Sequence, residues 1–506
     1  MARTSTPKRT IPSLRKNYTY NTSFQIFALI FPLITIPFVA KTLGPEQLGI
    51  YLYSYSIVAL FGLVSNLGII NYGNKVIAAD RDDPSKLAKT FTSLYLVSVL
   101  MTVPALVLYL LYCLIFVTEN KSVFLLQIIF LLSTLFNISW FFMGMEEFKI
   151  TIKRDILLKC LTLALILLFV RKQNGLVVYT FIMSTGALVS QLALWPFVRR
   201  YNSLVKVSLS DCLVHIKPLL ALFVPVIAVS IYTTVNKVML GSMTNVGQVG
   251  QFDTAVKIMS IPLGLITAMG LVMLPRMSNI IASKNTKMVD HYIKKSMSFV
   301  MFLSLPITLS LLAVASTLVP IFLGQEYTQA GLVLAIISPV VVFSAWANVL
   351  RTQYLIPKGR NRSYIVSVVI GAAVSISVGF ALIPVLQSTG AAIAMLAAEL
   401  CVMLYQTFAL RKDLNIRIYM KSARGFFVKS IIMYIFVMIA GIIIDPPIIR
   451  VITQLLVGGL VYGLLNINYI DKVILNSKLK HPAWSKLLIA KERLYAESDD
   501  ISGDVY

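Results

Sequence analysis

Apolar runs of about 20 residues recur along the chain, and short polar segments separate them. A helix needs about 20 apolar residues to cross the hydrocarbon core of a bilayer, so each run predicts one membrane-spanning helix. The pattern therefore predicts an all-α polytopic membrane protein. The fourteen predicted helices lie at residues 18–40, 50–72, 88–117, 122–143, 152–170, 176–198, 218–241, 251–275, 296–322, 329–356, 363–384, 389–410, 425–444 and 448–469.

The composition agrees with this pattern. Of the 506 residues, 58% are hydrophobic and only 13% are charged, and the mean hydropathy is +0.82. Such a composition leaves too little polar surface for a soluble protein of this length. The four cysteines are scattered, with neither a CxxC pair nor a histidine at metal-ligand spacing, so the sequence predicts no disulfide framework, metal site or cofactor. These cysteines are Cys113, Cys160, Cys212 and Cys401.

The net charge of +24 reports membrane topology rather than nucleic-acid binding, because the basic residues lie in loops between apolar segments. With a cytoplasmic N-terminus, 37 of the 45 lysines and arginines fall on the cytoplasmic side. We therefore expect both termini to be cytoplasmic.

A short internal repeat appears when the chain is compared with itself at an offset of 201 residues. Residues 46–51 then fall on residues 247–252, and Lys75 falls on Arg276. Six helices separate the copies, so both have the same orientation, which predicts two six-helix lobes related by an axis along the membrane normal. The predicted organisation is a cytoplasmic N-terminal segment (1–17), an N-lobe (18–198), a linker (199–217), a C-lobe (218–410), a cytoplasmic loop (411–424), two further helices (425–469) and a cytoplasmic tail (470–506).

Two lysines interrupt apolar helices, and an intramembrane charge is costly enough to predict a functional site. Lys237 shares a helical face with Ser230 and two threonines, and Lys257 follows Asp253 on a second polar stripe. We interpret the stripes as walls of a watery cavity for an anion. Lys237 and Lys257 lie about 4 and 6 residues from the predicted outer helix ends, roughly 6 and 9 Å deep, so snorkelling to the interface is the alternative.

Other polar residues allow two interpretations each. Arg351 is an interface anchor or a phosphate contact, and Asn21 and Gln25 either line the cavity or form interhelical hydrogen bonds. Glu399, midway through the twelfth helix, is either a structural ion-pair partner or a site for proton or sodium coupling. The charged run 146–154 is predicted to form a solvated ion cluster at the cytoplasmic interface.

A set of motifs in order resembles the Wzx-type polysaccharide flippases of the multidrug/oligosaccharidyl-lipid/polysaccharide exporter superfamily. The motifs are LGPEQLGIY (43–51), WFFMGMEEFK (140–149), VGQFDTAVKI (249–258), LPRMS (274–278), FLGQEY (322–327) and IPKGRNR (356–362). The resemblance implies a MATE-like fold of twelve core helices in a V, plus two C-terminal helices. Where that family often has aspartate before the lysine, this chain has Asn236 before Lys237, so a carboxylate role is not expected there.

The resemblance also implies an activity. A flippase of this kind moves undecaprenyl-diphosphate-linked oligosaccharide units from the inner to the outer leaflet of the bacterial cytoplasmic membrane for capsule, exopolysaccharide or O-antigen assembly. Expected partners are this lipid, membrane lipids and polysaccharide assembly proteins such as a polymerase. The driving force is then proton or sodium antiport or the membrane potential alone, which contributes about 2.3 kcal/mol per charge per 100 mV.

Two alternative functions fit a polytopic membrane protein of this kind. A MATE-type multidrug or cation antiporter would favour carboxylates in its cavity, whereas this chain has lysines. A membrane polymerase or glycosyltransferase would carry a long external loop or an acidic metal-binding motif, and the sequence has neither. The sequence also lacks the P-loop pattern, so ATP hydrolysis by this chain is not expected.

Overall fold

The computed structural model describes residues 14–171, 175–199, 201, 204–230 and 234–471, although some side chains within these ranges, including 14–26 and 28–30, are not described. The helices of the first half are α1 (Leu14–Asn66), α2 (Ile69–Asp80), α3 (Pro84–Ile115), α4 (Lys121–Leu135), α5 (Ser139–Gly144), α6 (Phe148–Phe169), α7 (Gly175–Leu192) and α8 (Trp195–Val198). Those of the second half are α9 (Leu209–Ser230), α10 (Asn236–Met243), α11 (Val246–Ala282), α12 (Thr286–Leu323), α13 (Thr328–Ile337), α14 (Val340–Leu350), α15 (Asn361–Ala409), α16 (Ile416–Ile443), α17 (Pro447–Leu465) and α18 (Ile467–Ile470). A 3₁₀ turn at Gln325–Tyr327 precedes α13, and a π-helical turn at Arg351–Leu355 follows α14.

The all-α prediction is confirmed for the described residues. Nine of their helices are long and apolar enough to cross a membrane, and a tenth span arises if the bent pair Gln325–Ile337 and Val340–Leu355 counts as one. The figure of fourteen spans stays a prediction.

Two of the long helices contain a break at a position that the sequence assigned to a connection. Helix α1 has 53 residues, and its helical geometry fails at Gly44 (φ 72°, ψ 172°). At 1.5 Å per residue a straight helix of this length would extend about 80 Å, far beyond a hydrocarbon core about 30 Å thick. The break at Gly44 therefore separates two spans.

Helix α15 breaks in the same way at Gln387 (φ 53°, ψ −128°). A Cβ placed on Gly390 would lie 2.5 Å from the carbonyl oxygen of Leu382. Residues eight apart in a straight helix are about 12 Å apart along its axis. The chain therefore reverses direction at Gln387.

Side-chain caps fix the starts of several long helices. The Asp83 carboxylate accepts hydrogen bonds from the backbone N–H groups of Ser85 (3.0 Å) and Lys86 (3.2 Å) at the start of α3. Asn245 caps α11 in the same way, accepting from the N–H of Gln248 at 3.2 Å. These bonds satisfy backbone donors that have no partner within the helix.

The largest apolar core joins the two halves of the chain. It contains Val39 and Tyr51 of α1 together with Phe252 of α11, and it continues into α12, α13 and α14. The pairing of α1 with α11 is the most extensive contact between any two helices of the described chain. The hairpin around Gly44 and the start of α11 therefore hold the halves together.

Candidate functional site

A buried carboxylate lies between the two intramembrane lysines. Asp253 of α11 has only 2% of its side chain exposed, and its Oδ1 lies 2.5 Å from the Nζ of Lys237. Its Oδ2 lies 2.8 Å from the Nζ of Lys257, one helical turn further along α11. Two ammonium groups and one carboxylate leave this cluster with one net positive charge.

The lysines are deeper in their helices than the sequence suggested. Helix α10 ends at Met243 and α11 begins at Val246, so Lys237 and Lys257 lie six and eleven residues from the ends that face the predicted exterior. These separations correspond to roughly 9 and 16 Å. A depth of this size, together with the pairing to Asp253, disfavours the snorkelling interpretation.

The neighbouring Asn236 is buried and belongs to a separate contact. Its side-chain oxygen accepts a hydrogen bond from the Ser375 hydroxyl at 3.1 Å. This contact ties α10 to α15, so that α10 presents Lys237 to α11. The Asn236 side chain thus serves helix packing, at the position where the Wzx-type flippases often have aspartate.

A cavity of about 340 Å³ adjoins the lysine cluster. Lys257 lines it with 40% of its side chain exposed, whereas Asp253 lies behind that wall. The lining residues are Phe31, Pro32, Thr35, Ile36, Val39 and Leu48 of α1, Tyr179 and Met183 of α7, and Thr254, Lys257, Ser260 and Ile261 of α11. The cavity therefore lies between the two halves, with Lys257 on the second-half wall.

A second cavity of about 280 Å³ shares four of these lining residues, so the two cavities are adjacent. The shared residues are Phe31, Thr35, Tyr179 and Met183. Its remaining wall belongs to α6 and α7 and consists of Asp155, Leu158, Lys159, Thr162, Ile166, Gly186, Ala187 and Ser190.

The prediction of a solvated ion cluster at residues 146–154 was wrong for Arg154, the last residue of this run. Only 9% of this side chain is exposed. Its guanidinium donates to Asp155 Oδ1 at 2.7 and 3.0 Å and to the Ser190 carbonyl oxygen at 2.9 Å. Asp155 and Lys159 were not among the predicted site residues, although their spacing of four residues within an apolar helix was a usable signal.

The remaining candidates lie apart from this cluster or outside the described side chains. Arg351 starts the π-helical turn, its guanidinium carbon 5.6 Å from the centre of the Tyr364 ring, and it lines neither cavity. Glu399 is 8% exposed and accepts a hydrogen bond from the Ser344 hydroxyl at 2.7 Å.

In α1, the polar stripe predicted as cavity lining is described only in part. The side chains of Asn21 and Gln25 lie outside the described residues, but Pro32 and Thr35 further along the stripe line the first cavity. Within the described part of the chain, no group of three or more His, Cys, Asp or Glu could hold a metal ion.

Comparison with known proteins identifies one matching family model and several relatives. Residues 14–281, more than half of the chain, match the model of a family described as polysaccharide biosynthesis protein. A putative O-antigen transporter of Escherichia coli (strain K12) is 27% identical over 393 residues, which cover 76% of this chain and 94% of that relative.

Solved structures share the fold at low sequence identity. The lipid II flippase MurJ in an inward closed conformation aligns with a TM-score of 0.75 at 14% identity, covering 90% of this chain and 100% of that structure. An inward-facing multidrug resistance MATE family transporter aligns with a TM-score of 0.62 at 14% identity, covering 80% and 96%. The prediction of a MATE-like polytopic membrane fold is therefore confirmed.

Proposed function

The chain belongs to the family of polysaccharide biosynthesis proteins, and on that premise we propose that it is a transporter that flips lipid-linked oligosaccharides across the membrane. The substrate we propose is an undecaprenyl-diphosphate-linked repeat unit for capsule, exopolysaccharide or O-antigen assembly. Support comes from the O-antigen transporter relative and from the fold shared with the lipid II flippase.

The observation that carries the proposal is the charge of the cavity wall. Lys257 lines the cavity and shares Asp253 with Lys237. A diphosphate offers several strong acceptor oxygens, and charge-assisted hydrogen bonds are roughly twice as strong as neutral ones. When the diphosphate binds, the Lys257 ammonium would exchange its bond to Asp253 for bonds to the diphosphate oxygens. Asp253 would keep its bond to Lys237.

This charge balance disfavours the alternative functions. A cation antiporter needs a carboxylate that the substrate can reach. Asp253 is 2% exposed and held by two lysines, and Asp155 of the adjoining cavity is bound by the Arg154 guanidinium. An enzyme of polysaccharide polymerisation is a weaker candidate because the related sequence is described as a transporter. A proton or sodium gradient coupled through Glu399, or the membrane potential alone, would supply the driving force.

The topology we propose places both termini in the cytoplasm of a bacterium and the cavity within its inner membrane. The diphosphate and sugars would enter the cavity between two six-helix lobes, and the prenyl chain would stay in lipid. Rocking of the lobes would then open the cavity outward. Assembly proteins such as a polymerase would receive the product on the outer side.

Mass spectrometry of lipid bound to the purified protein tests this function. The protein would be extracted from cells that make a surface polysaccharide, using a detergent mild enough to retain lipid. We expect a polyprenyl diphosphate that carries an oligosaccharide, at a level above that in an unrelated membrane protein purified in parallel. Phospholipids alone in both samples would contradict the proposal.

A further inference from the structure

The two adjacent cavities carry the same chemical pattern on opposite halves of the chain. Asp253, Lys257 and Ser260 follow one another at spacings of four and three residues on α11, and Lys257 and Ser260 line the first cavity. Asp155, Lys159 and Thr162 repeat these spacings on α6, and all three line the second cavity. Aspartate, lysine and a hydroxyl residue at these spacings share one helical face.

The opposite face of α6 shows that the charged stripe is directed inward by the fold. Leu157 and Leu161 are 68% and 51% exposed, as expected for side chains that face lipid. Lys159, between them in sequence, is half-buried and lines the cavity. Apolar residues outside and charged residues inside are the arrangement that a polar cavity in a membrane requires.

Asp155 is held in place by its neighbour. The Arg154 guanidinium donates two hydrogen bonds to Asp155 and a third to the Ser190 carbonyl of α7. The three groups therefore fix α6 against α7 beside Lys159. Arg154 and Lys159 carry two positive charges and Asp155 carries one negative charge. This group therefore has one net positive charge, as the Lys237–Asp253–Lys257 cluster does.

The two cavities extend to different depths along α7. The first cavity reaches Tyr179 and Met183, in the first half of α7, whereas the second continues past Gly186 to Ser190, near the end of the helix. In the proposed topology the start of α7 faces the exterior. The Lys159 cavity therefore extends further toward the cytoplasm than the Lys257 cavity, and Phe31 and Thr35 border both.

From these observations we infer that the Asp155–Lys159–Thr162 stripe is a second anion site, which receives the substrate diphosphate from the cytoplasmic side before it reaches Lys257. The inference rests on the proposed function. The diphosphate would exchange one lysine for another along a continuous cavity, so that its charge is never left without a cation at mid-membrane. Between the two lysines, the Thr162 hydroxyl would donate a further hydrogen bond to the diphosphate, and the Ser260 hydroxyl would exchange its present bond to the Val256 carbonyl for one to the diphosphate.

Binding of farnesyl diphosphate, a water-soluble prenyl diphosphate, to the purified full-length protein tests the second site. The variants are Lys159→Ala, Lys159→Arg and Lys257→Ala, with farnesol as the uncharged probe. Lys153→Ala is the matched control, because Lys153 lies on the same helix, is exposed and lines neither cavity. Size-exclusion chromatography and thermal unfolding check that each variant is folded.

We expect Lys159→Ala to weaken diphosphate binding about tenfold or more, since a hydrogen bond between charged groups is lost. Lys159→Arg should restore most of the affinity, and Lys153→Ala should bind as the wild type does. Undiminished binding by a folded Lys159→Ala variant, with binding lost in Lys257→Ala, would overturn the second site and leave the proposed function intact. Failure of the wild-type protein to prefer farnesyl diphosphate over farnesol would overturn both.

Discussion

Gly49 packs against the backbone carbonyl of Val246, and Gly250 packs against that of Pro45. Each carbonyl belongs to the residue four positions before the other glycine. A Cβ on Gly49 would overlap the Val246 carbonyl oxygen, and a Cβ on Gly250 would overlap that of Pro45. The offset of 201 residues found in the sequence converts one contact into the other. Reciprocal contacts of this kind are those of a two-fold axis. They support the internal repeat, while the division into lobes stays a prediction.

The first prediction concerns the seam formed by these glycines, which joins the halves at their predicted outer ends. Gly49→Leu should separate α1 from α11, because no side chain fits against the Val246 carbonyl. A cysteine placed at Ser260, on the cavity wall, should then react faster with a membrane-impermeant thiol reagent added outside. The measurement needs a background in which the four native cysteines are replaced.

Gly459→Leu is the control for this experiment, because a Cβ at Gly459 of α17 meets no atom within 4 Å. It should leave the labelling of Ser260→Cys unchanged. Equal labelling of Ser260→Cys with and without Gly49→Leu would show that the seam does not close the cavity.

Orientation gives a second prediction. Asn245 caps α11 and is exposed, in a connection that the distribution of lysine and arginine places outside the cell. Asn245→Cys should be labelled in intact cells by an impermeant reagent, whereas a cysteine at Lys412, in the predicted cytoplasmic loop, should not. The reverse labelling pattern would invert the topology.

Glu399 gives a third prediction, based on its proposed role in ion coupling. The carboxylate is buried and accepts a hydrogen bond from Ser344, so its protonation would alter a contact between α14 and α15. Glu399→Gln should abolish the dependence of transport on external pH. Ser344→Ala removes the donor but keeps the carboxyl, and it should retain a pH dependence. A pH profile in Glu399→Gln equal to that of the wild type would leave this residue a structural role only.

A fourth prediction uses a carboxylate in the loop between α15 and α16. Asp413 binds the guanidinium of Arg360 through both oxygens, at 2.6 and 2.9 Å. Partial burial alone would raise the pKa of Asp413, but the hydrogen bonds and charges of Arg360 and Lys358 outweigh it, so the pKa lies below its usual value. A lowered pKa means that this carboxylate stabilises the fold above its unfolded pKa of about 3.9.

That stabilisation is lost as the pH falls through the lowered pKa of the folded state. Asp413→Asn should therefore lower the Tm at neutral pH, and its difference from the wild type should shrink on acidification. Asp445→Asn is the control, since Asp445 is fully exposed and its oxygen lies 3.3 Å from Arg450. A constant difference in Tm across the acidic range would contradict this account.

Hydrophobic patterning predicted the all-α membrane fold of the described residues correctly, because a membrane span needs a long apolar run. Both breaks within long helices, at Gly44 and Gln387, fall where the sequence placed connections. The resemblance to polysaccharide flippases also led to the correct fold, since its motifs span much of the chain.

The site was harder to predict, because charges interact across helices whose relative rotation the sequence does not give. Asp253 was predicted to share a stripe with Lys257, but its bond to Lys237 of the preceding helix requires the packing of α10 on α11. Lys159 was counted among cytoplasmic charges, whereas it lies eleven residues into α6 and lines a cavity. The seam at Gly49 depends on a close backbone approach that only the folded chain shows.

Translocation by Lys257→Ala tests the central claim most directly. The purified protein would be reconstituted in vesicles with a fluorescent polyprenyl-diphosphate oligosaccharide, and an impermeant quencher would report the rate at which the lipid changes leaflet. We predict that Lys257→Ala slows translocation about tenfold or more, since a charge-assisted hydrogen bond to the diphosphate is lost, and that Lys257→Arg retains most of the rate. A correctly folded Lys257→Ala variant that translocates the lipid as fast as the wild type would contradict the proposed site.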